Sequence, residues 1–278
     1  SSPTPGHRTR IFGGNTSCVS VESGDQVFIC DAGTGMRDLG MRLIRDKRLP
    51  FEGHLFISHS HWDHIQGFPF FSPVYIPGNT LHVYDPAERE KRVYDLLSGQ
   101  MQGDYFPVDF SSLNAHILPD RLEEAGRSIG GVHVSAMMLN HPGGSYAYRF
   151  DTGEQIVVYA TDNEIDTELD TSADPSLPRA IPERFVNFAR GADLLIADAQ
   201  YTEEEYPSKS GWGHSRVFTA VDFAIEAGCK QLALFHHDPM HSDADVQQIE
   251  VAARARVARR GSNLVVFAAR EGLELRYR

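Results

Sequence analysis

Leu55-Phe56-Ile57-Ser58-His59-Ser60-His61-Trp62-Asp63-His64 is the stretch on which the reading of this chain turns. Its apolar start reads as a buried strand that stops at Ser58. His59, His61, Asp63 and His64 then place four metal-capable side chains within six residues. In an extended segment residues i and i+2 face the same way, so His59 and His61 can converge on one ion. A turn into helix directly afterwards carries Asp63 and His64 to another side, where they can serve a second ion. Two ions about 4 Å apart suit an in-line displacement at phosphorus. A lone histidine is usually a satisfied polar group, but four such residues at a strand end point to metal binding.

Each ion needs further ligands, because catalytic sites combine several histidine or carboxylate groups and leave a position open. Strand ends supply the candidates. His141 follows an expected strand at 132–139 and precedes Pro142-Gly143-Gly144. Asp162 follows a strand at 156–161 that is paired with 146–150 through the hairpin signal Asp151-Thr152-Gly153. His236 and His237 follow a strand at 232–235. Singly these are weak signals, since a strand-terminal Asp is usually a cap and a His before Pro a turn residue. Together they complete the ligand set in type and number.

The remaining pattern is strand and hairpin early, and strand-helix alternation late. Val27 to Ile29 runs into the turn Asp31-Ala32-Gly33-Thr34-Gly35. Residues 38–48 have helical spacing, 68–84 read as loop and short strands, and 86–100 as a helix opened by Pro86 and ended near Gly99. Helices are expected at 181–190 and at 215–227 before Gly228, and a strand at 194–197. Ser242 and Asp245 form a capping box ahead of a helix to about Arg260. Strands at 264–267 and 273–276 close the chain. With no composition break to mark a linker, residues 1–278 are expected to form one α/β domain with helices outside two sheets.

HSHWDH, with His141, Tyr159-Ala160-Thr161-Asp162 and the later strand-His, resembles the metallo-β-lactamase fold superfamily over nearly the whole chain. The HxHxDH motif is specific for the superfamily but not for a substrate. The resemblance implies a four-layer αββα sandwich with a dinuclear site at one edge. It implies that His59, His61 and His141 bind one ion, that Asp63, His64 and His236 bind the other, and that Asp162 bridges both. His236 is preferred because it follows the strand directly, as the last ligand does in the family, and His237 is the alternative. Zinc suits the mixed nitrogen and oxygen ligands best, with manganese or iron as alternatives.

Gly211-Trp212-Gly213-His214-Ser215, after Asp198-Ala199-Gln200-Tyr201, resembles the Gly-His-Ser segment of the ribonuclease Z and cyclic phosphodiesterase branch. That likeness implies that His214 contacts the scissile phosphate and is oriented by Asp198. A His near a helix N-terminus is well placed for a phosphate oxygen. Gly13-Gly14-Asn15-Thr16-Ser17-Cys18, the turn at 31–35 and Phe235-His236-His237-Asp238-Pro239 are similar to bacterial cyclic-nucleotide phosphodiesterase-like members. The family usually opens with a short strand before the segment matching Ser1-Ser2-Pro3, so either one sheet edge is incomplete or the chain is a trimmed form. The implied chemistry is attack by a hydroxide bridging two divalent ions, with Asp63 orienting it and His214, held by Asp198, stabilising or protonating the leaving oxygen.

Composition narrows the substrate. The net charge is −12 with histidines neutral, a field that repels folded RNA unless basic residues cluster. No Gly-, Pro- and Lys-rich arm for gripping tRNA is evident, and the stretch between Asp162 and Asp198 is short and acidic. A small phosphodiester, a cyclic nucleotide first, is therefore expected, with RNA disfavoured. Phe68-Pro69-Phe70-Phe71, Tyr75 and Tyr105-Phe106 could stack a base, form a homodimer interface or be core. Cys18, Cys30 and Cys229 lack CxxC spacing, which argues against a thiolate zinc site and for a reducing, cytoplasmic compartment. No signal peptide and no run of about twenty apolar residues is expected. The alternatives are a ribonuclease Z-like nuclease, a cyclic phosphate-sugar diesterase, a lactonase or β-lactamase-type hydrolase, and a metal-binding sensor without hydrolysis.

Overall fold

The structure is a computed structural model that describes residues 2–86, 92–123, 125–170 and 177–277. The chain divides into two compact units, Ser1–Pro3 with Asn15–Gly130, and Thr4–Gly14 with Gly131–Arg278. Among the described residues, no helix is long and apolar enough to cross a membrane.

In the first unit β1 (Val19–Ser23), β2 (Gln26–Cys30), β3 (Glu52–Phe56), β4 (Thr80–Pro86) and β5 (His116–Leu122) form one sheet in that order. β1 and β2 are an antiparallel hairpin, and β2 to β5 are parallel. Parallel strands bury both faces, which is why Val27 to Cys30 of β2 reads as an apolar run without alternation. α1 (Met36–Arg45) buries Met36, Leu39, Gly40 and Leu43, the i, i+3, i+4, i+7 stripe of an amphipathic helix. Met36, Leu39 and Leu43 join Ile29, Leu55, Leu81 and Val83 in the core. α2 (Trp62–Ile65) is one helical turn after β3, followed by short 3-10 turns at Phe68–Phe70 and Ser72–Tyr75. α3 (Arg92–Gly99) falls inside the expected 86–100 helix, of which 87–91 lie outside the described residues. A short strand, β6 (Arg127–Ile129), ends the unit. Phe68 and Phe71 are core, whereas Phe70 and Tyr105 are exposed.

In the second unit β7 (Val132–Leu139), β8 (Ser145–Asp151) and β9 (Ile156–Ala160) form an antiparallel meander. β10 (Leu194–Asp198), β11 (Gln231–Phe235) and β12 (Val265–Ala268) continue from β9 as parallel neighbours. The crossovers hold α4 (Glu183–Ala189), α5 (Val217–Glu226) and α6 (Asp243–Arg259). Parallel pairing requires such long connections, which explains the late strand-helix alternation. Ser242 and Asp245 form the expected capping box at the start of α6. Residues 273–276, expected as a strand, are not one. Gly272 at φ 71° turns the chain, and the segment, with Leu275 exposed, finds no ladder to join among the described residues.

Register decides where function can sit. Ala197 pairs with Ala160, and Asp198 pairs with Phe235, so the carboxyl ends of β9, β10 and β11 lie side by side. Neighbouring strands are about 4.8 Å apart, so residues just past those ends fall within reach of one another. Such ends are the usual ligand-binding edge of a parallel sheet.

Candidate functional site

In the first unit, the chain turns at His61 into α2, as the sequence predicts, and a compact cluster results. The ring centroids of His59 and His61 are 4.4 Å apart and those of His59 and His64 are 4.2 Å apart. Asp31, at the end of β2, organises this cluster. One carboxylate oxygen accepts from the Ser58 N–H at 2.6 Å, and the other accepts from the Ser58 hydroxyl at 2.8 Å and from His64 Nδ1 at 2.7 Å. Asp31 does so from φ 63°, a left-handed conformation that Asp tolerates better than most residues. Gly33 follows, where a Cβ would lie 2.3 Å from the Asp63 carbonyl oxygen, so only glycine lets this turn approach α2.

In the second unit, Asp162, Asp198, His214 and His236 each offer an atom within 4.8 Å of the others. Asp162 and His236 stand one or two residues past β9 and β11 at φ 50° and 58°. Strained backbone of this kind concentrates at functional sites. The His214 and His236 rings are stacked with centroids 4.9 Å apart. His141, just past the end of β7, donates from Nδ1 to the Gly213 carbonyl at 2.9 Å.

Four histidines thus have Nδ1 committed to a fixed acceptor: His64 to Asp31, His141 to Gly213 O, His214 to Asp198 and His236 to the Gln200 amide oxygen at 2.9 Å. Donation from Nδ1 leaves the Nε2 lone pair to face outward, the arrangement that metal-ligating histidines adopt. Both units then bring that lone pair against a carboxylate. His236 Nε2 is 3.4 Å from Asp162 Oδ1, and His64 Nε2 is 3.3 Å from Asp63 Oδ2. Two acceptors at that range repel unless a cation lies between them, so the donor set fits divalent metal.

Asp198 behaves differently from Asp162. It accepts from the Asn163 N–H at 3.2 Å, the Gln200 N–H at 3.1 Å and His214 Nδ1 at 2.7 Å. These bonds to two backbone N–H groups and one imidazole suit an orienting carboxylate. Burial lowers the His214 pKa, but the charge and hydrogen bond of Asp198, with the charge of Asp162, outweigh it and hold the imidazole above its usual value. A raised pKa suits a proton donor. His237 instead bonds the Ala269 carbonyl at 3.0 Å and packs edge-on against Phe12.

Asp31 and Gln200 are the orienting residues that sequence reading overlooks. Asp31 appears there as a turn residue and Gln200 as part of a quoted segment. Their position directly beyond β2 and β10 is the signal that could have marked them.

The family model described as the beta-lactamase superfamily domain matches residues 27–237. The ribonuclease Z of Exiguobacterium sibiricum is 26% identical over 232 residues, 72% of this chain and 75% of that protein. The metallo-beta-lactamase fold protein YhfI from Bacillus subtilis superimposes with a TM-score of 0.67 at 18% identity, covering 98% of this chain and 95% of that one. Yeast PDE1 does so with a TM-score of 0.65 at 13% identity, covering 98% and 96%. At such identities the two structures speak for the fold alone. The match across most of the chain, the HxHxDH motif and the oriented histidines agree: this chain belongs to the metallo-β-lactamase fold superfamily.

Proposed function

We propose that this metal-dependent phosphoric diester hydrolase acts on a small phosphodiester, a cyclic nucleotide first, through two divalent ions. His59, His61 and His141 are the proposed ligands of one ion, and Asp63, His64 and His236 those of the other, with Asp162 bridging. This assignment rests on the family motif, and the oriented Nε2 atoms in each unit support it. The family match from 27 to 237 runs across both units and supports a single hydrolase domain. Zinc is the proposed metal, with manganese or iron as alternatives, and the proposed compartment is the cytoplasm.

Bound metal would supply a water acidified toward neutral pH and positive charge against the non-bridging phosphate oxygens. His214 is the proposed proton donor to the leaving oxygen. Asp198 holds its Nδ1 and stabilises the imidazolium before transfer. Asp63 orients the attacking water. The observation that carries the reading is the 2.7 Å Asp198–His214 pair beside Asp162 and His236. A metal-binding sensor would have no use for that pair.

Substrate size rests on charge and on one loop. At a net charge of −12, long polyanions are disfavoured. Trp212, two residues before His214, is 59% exposed, and Lys209 Nζ lies 4.2 Å from its ring centroid. An exposed indole next to a cation suits a nucleobase next to a phosphate. RNA is the second reading, favoured by relatives named ribonuclease Z. The test is turnover by purified, metal-analysed protein of bis-p-nitrophenyl phosphate, cyclic mononucleotides, cyclic phosphate sugars and a tRNA precursor. Hydrolysis of cyclic mononucleotides without cleavage of the precursor is expected, and the reverse would overturn the small-substrate reading.

A further inference from the structure

Glu164 lies two residues past Asp162 and is 3% exposed. Its carboxylate accepts three hydrogen bonds from one loop. Oε1 accepts from the Tyr206 hydroxyl and the Gly211 N–H, and Oε2 from the Gly213 N–H, each at 2.7 Å. Its backbone N–H donates to the Asn140 carbonyl at 2.7 Å, and its own carbonyl accepts from the Asn140 amide at 2.9 Å. These bonds close a circuit. The Glu164 carboxylate holds Gly213 by its N–H, the Gly213 carbonyl holds His141 by Nδ1 at 2.9 Å, and His141 follows Asn140, which is tied back to Glu164. Gly213 also directly precedes His214.

Gly213 admits no other residue easily. It sits at φ 91°, and a Cβ there would lie 2.1 Å from His141 Nδ1. The peptide carbonyl that fixes the His141 tautomer is therefore placed by a charged acceptor on the other side of the same residue. Bonds from neutral donors to a buried carboxylate are stronger than neutral ones and more dependent on geometry.

We infer that Glu164 is a positioning residue for the hydrolysis. Through Gly213 it sets the direction of His141 Nε2 and the start of the segment that carries His214. The inference rests on the proposed reading that His141 ligates metal and His214 serves the leaving group. Asp166, two residues on, anchors the start of α5 in a similar way. It accepts from the Arg216 N–H and Nε at 2.8 Å each and from the Thr219 hydroxyl.

The test is Glu164→Gln, which keeps the size but turns an NH2 group toward a backbone donor. Zinc affinity, read by competition with a chromophoric chelator, should weaken about tenfold, and kcat should fall about 10- to 100-fold, the usual range for a partner behind a metal ligand. Tyr206→Phe removes one of the three bonds and leaves Gly213 held, so it should change kcat less than about threefold. Should Glu164→Gln fail to fold, Gly213→Ala displaces the same carbonyl and should show the same two losses. Wild-type zinc affinity and kcat in Glu164→Gln, or in Gly213→Ala where that variant substitutes for it, would overturn the inference. So would losses in Tyr206→Phe as large as those in Glu164→Gln, since the carboxylate would then only stabilise the loop. His141→Ala separates the underlying reading: undiminished zinc affinity there removes the metal assignment and this inference together. Loss of zinc there with none in Glu164→Gln removes this inference alone.

Discussion

The first unit gathers His59, His61, Asp63 and His64 on one loop and one helical turn, whereas the second draws Asp162, Asp198, His214 and His236 from three strand ends and the approach to a helix. The contiguous cluster needs little more than the strand stop after β3, the turn into α2 and one orienting carboxylate, Asp31. The assembled cluster depends on the parallel register of β9, β10 and β11 and on separate partners for each histidine. Losing an orienting residue should therefore perturb one histidine in either unit, but losing a residue at the centre of the assembled cluster should disable the chemistry outright.

The largest effect is expected at Asp162, which faces His236 and receives the Thr161 hydroxyl. Asp162→Ala should lower turnover of bis-p-nitrophenyl phosphate by on the order of a thousandfold, the upper range for removing a charge-stabilising group. It should also lose metal by elemental analysis, and retained metal would break the comparison. His214→Ala should keep the metal content yet lose about a hundredfold in kcat, because the role proposed for it is that of a proton donor and not of a ligand. Metal loss in that variant would place His214 among the ligands.

Asp31→Asn and Gln200→Leu probe the two units in turn. Each should weaken metal affinity about tenfold by releasing one imidazole, His64 or His236. An effect confined to one variant would show that only that unit's histidine needs external orientation.

The smallest effect concerns the first sheet rather than the site. Burial, with the charge of His82 adding to it, lowers the His54 pKa from 6.5 to about 4. Its ring is held between Tyr84 OH at 3.1 Å and Gln26 Oε1 at 2.9 Å. Because the folded state disfavours the protonated form, this stability is complete above pH 6.5 and is lost as pH falls toward 4. Urea midpoints at pH 7 and pH 4.5 should therefore converge in His54→Gln relative to the wild type. An equal acid loss in both proteins would remove His54 as a source.

Legibility followed the range of the interactions. Strand stops, the capping box at Ser242 and the contiguous histidines are written into neighbouring residues, so spacing alone exposes them. The expected strand at 273–276 failed because period-two apolar residues form a strand only where a ladder partner waits, and partners are not local. The roles of Asp31 and Gln200 stayed hidden for the same reason, since a carboxylate or amide beyond a strand gives no sign of which imidazole it will meet.

The sequence by itself determined the superfamily and the residue types able to hold metal, because a buried strand running into clustered histidines and an aspartate is local chemistry. Only the tertiary structure decided which nitrogen of each histidine is committed. Asp31 meets His64 across 33 positions, Gln200 meets His236 across 36 and Gly213 meets His141 across 72. Hydrogen bonds of that range exist only once the strands have paired, since strand register and not chain proximity brings their partners together.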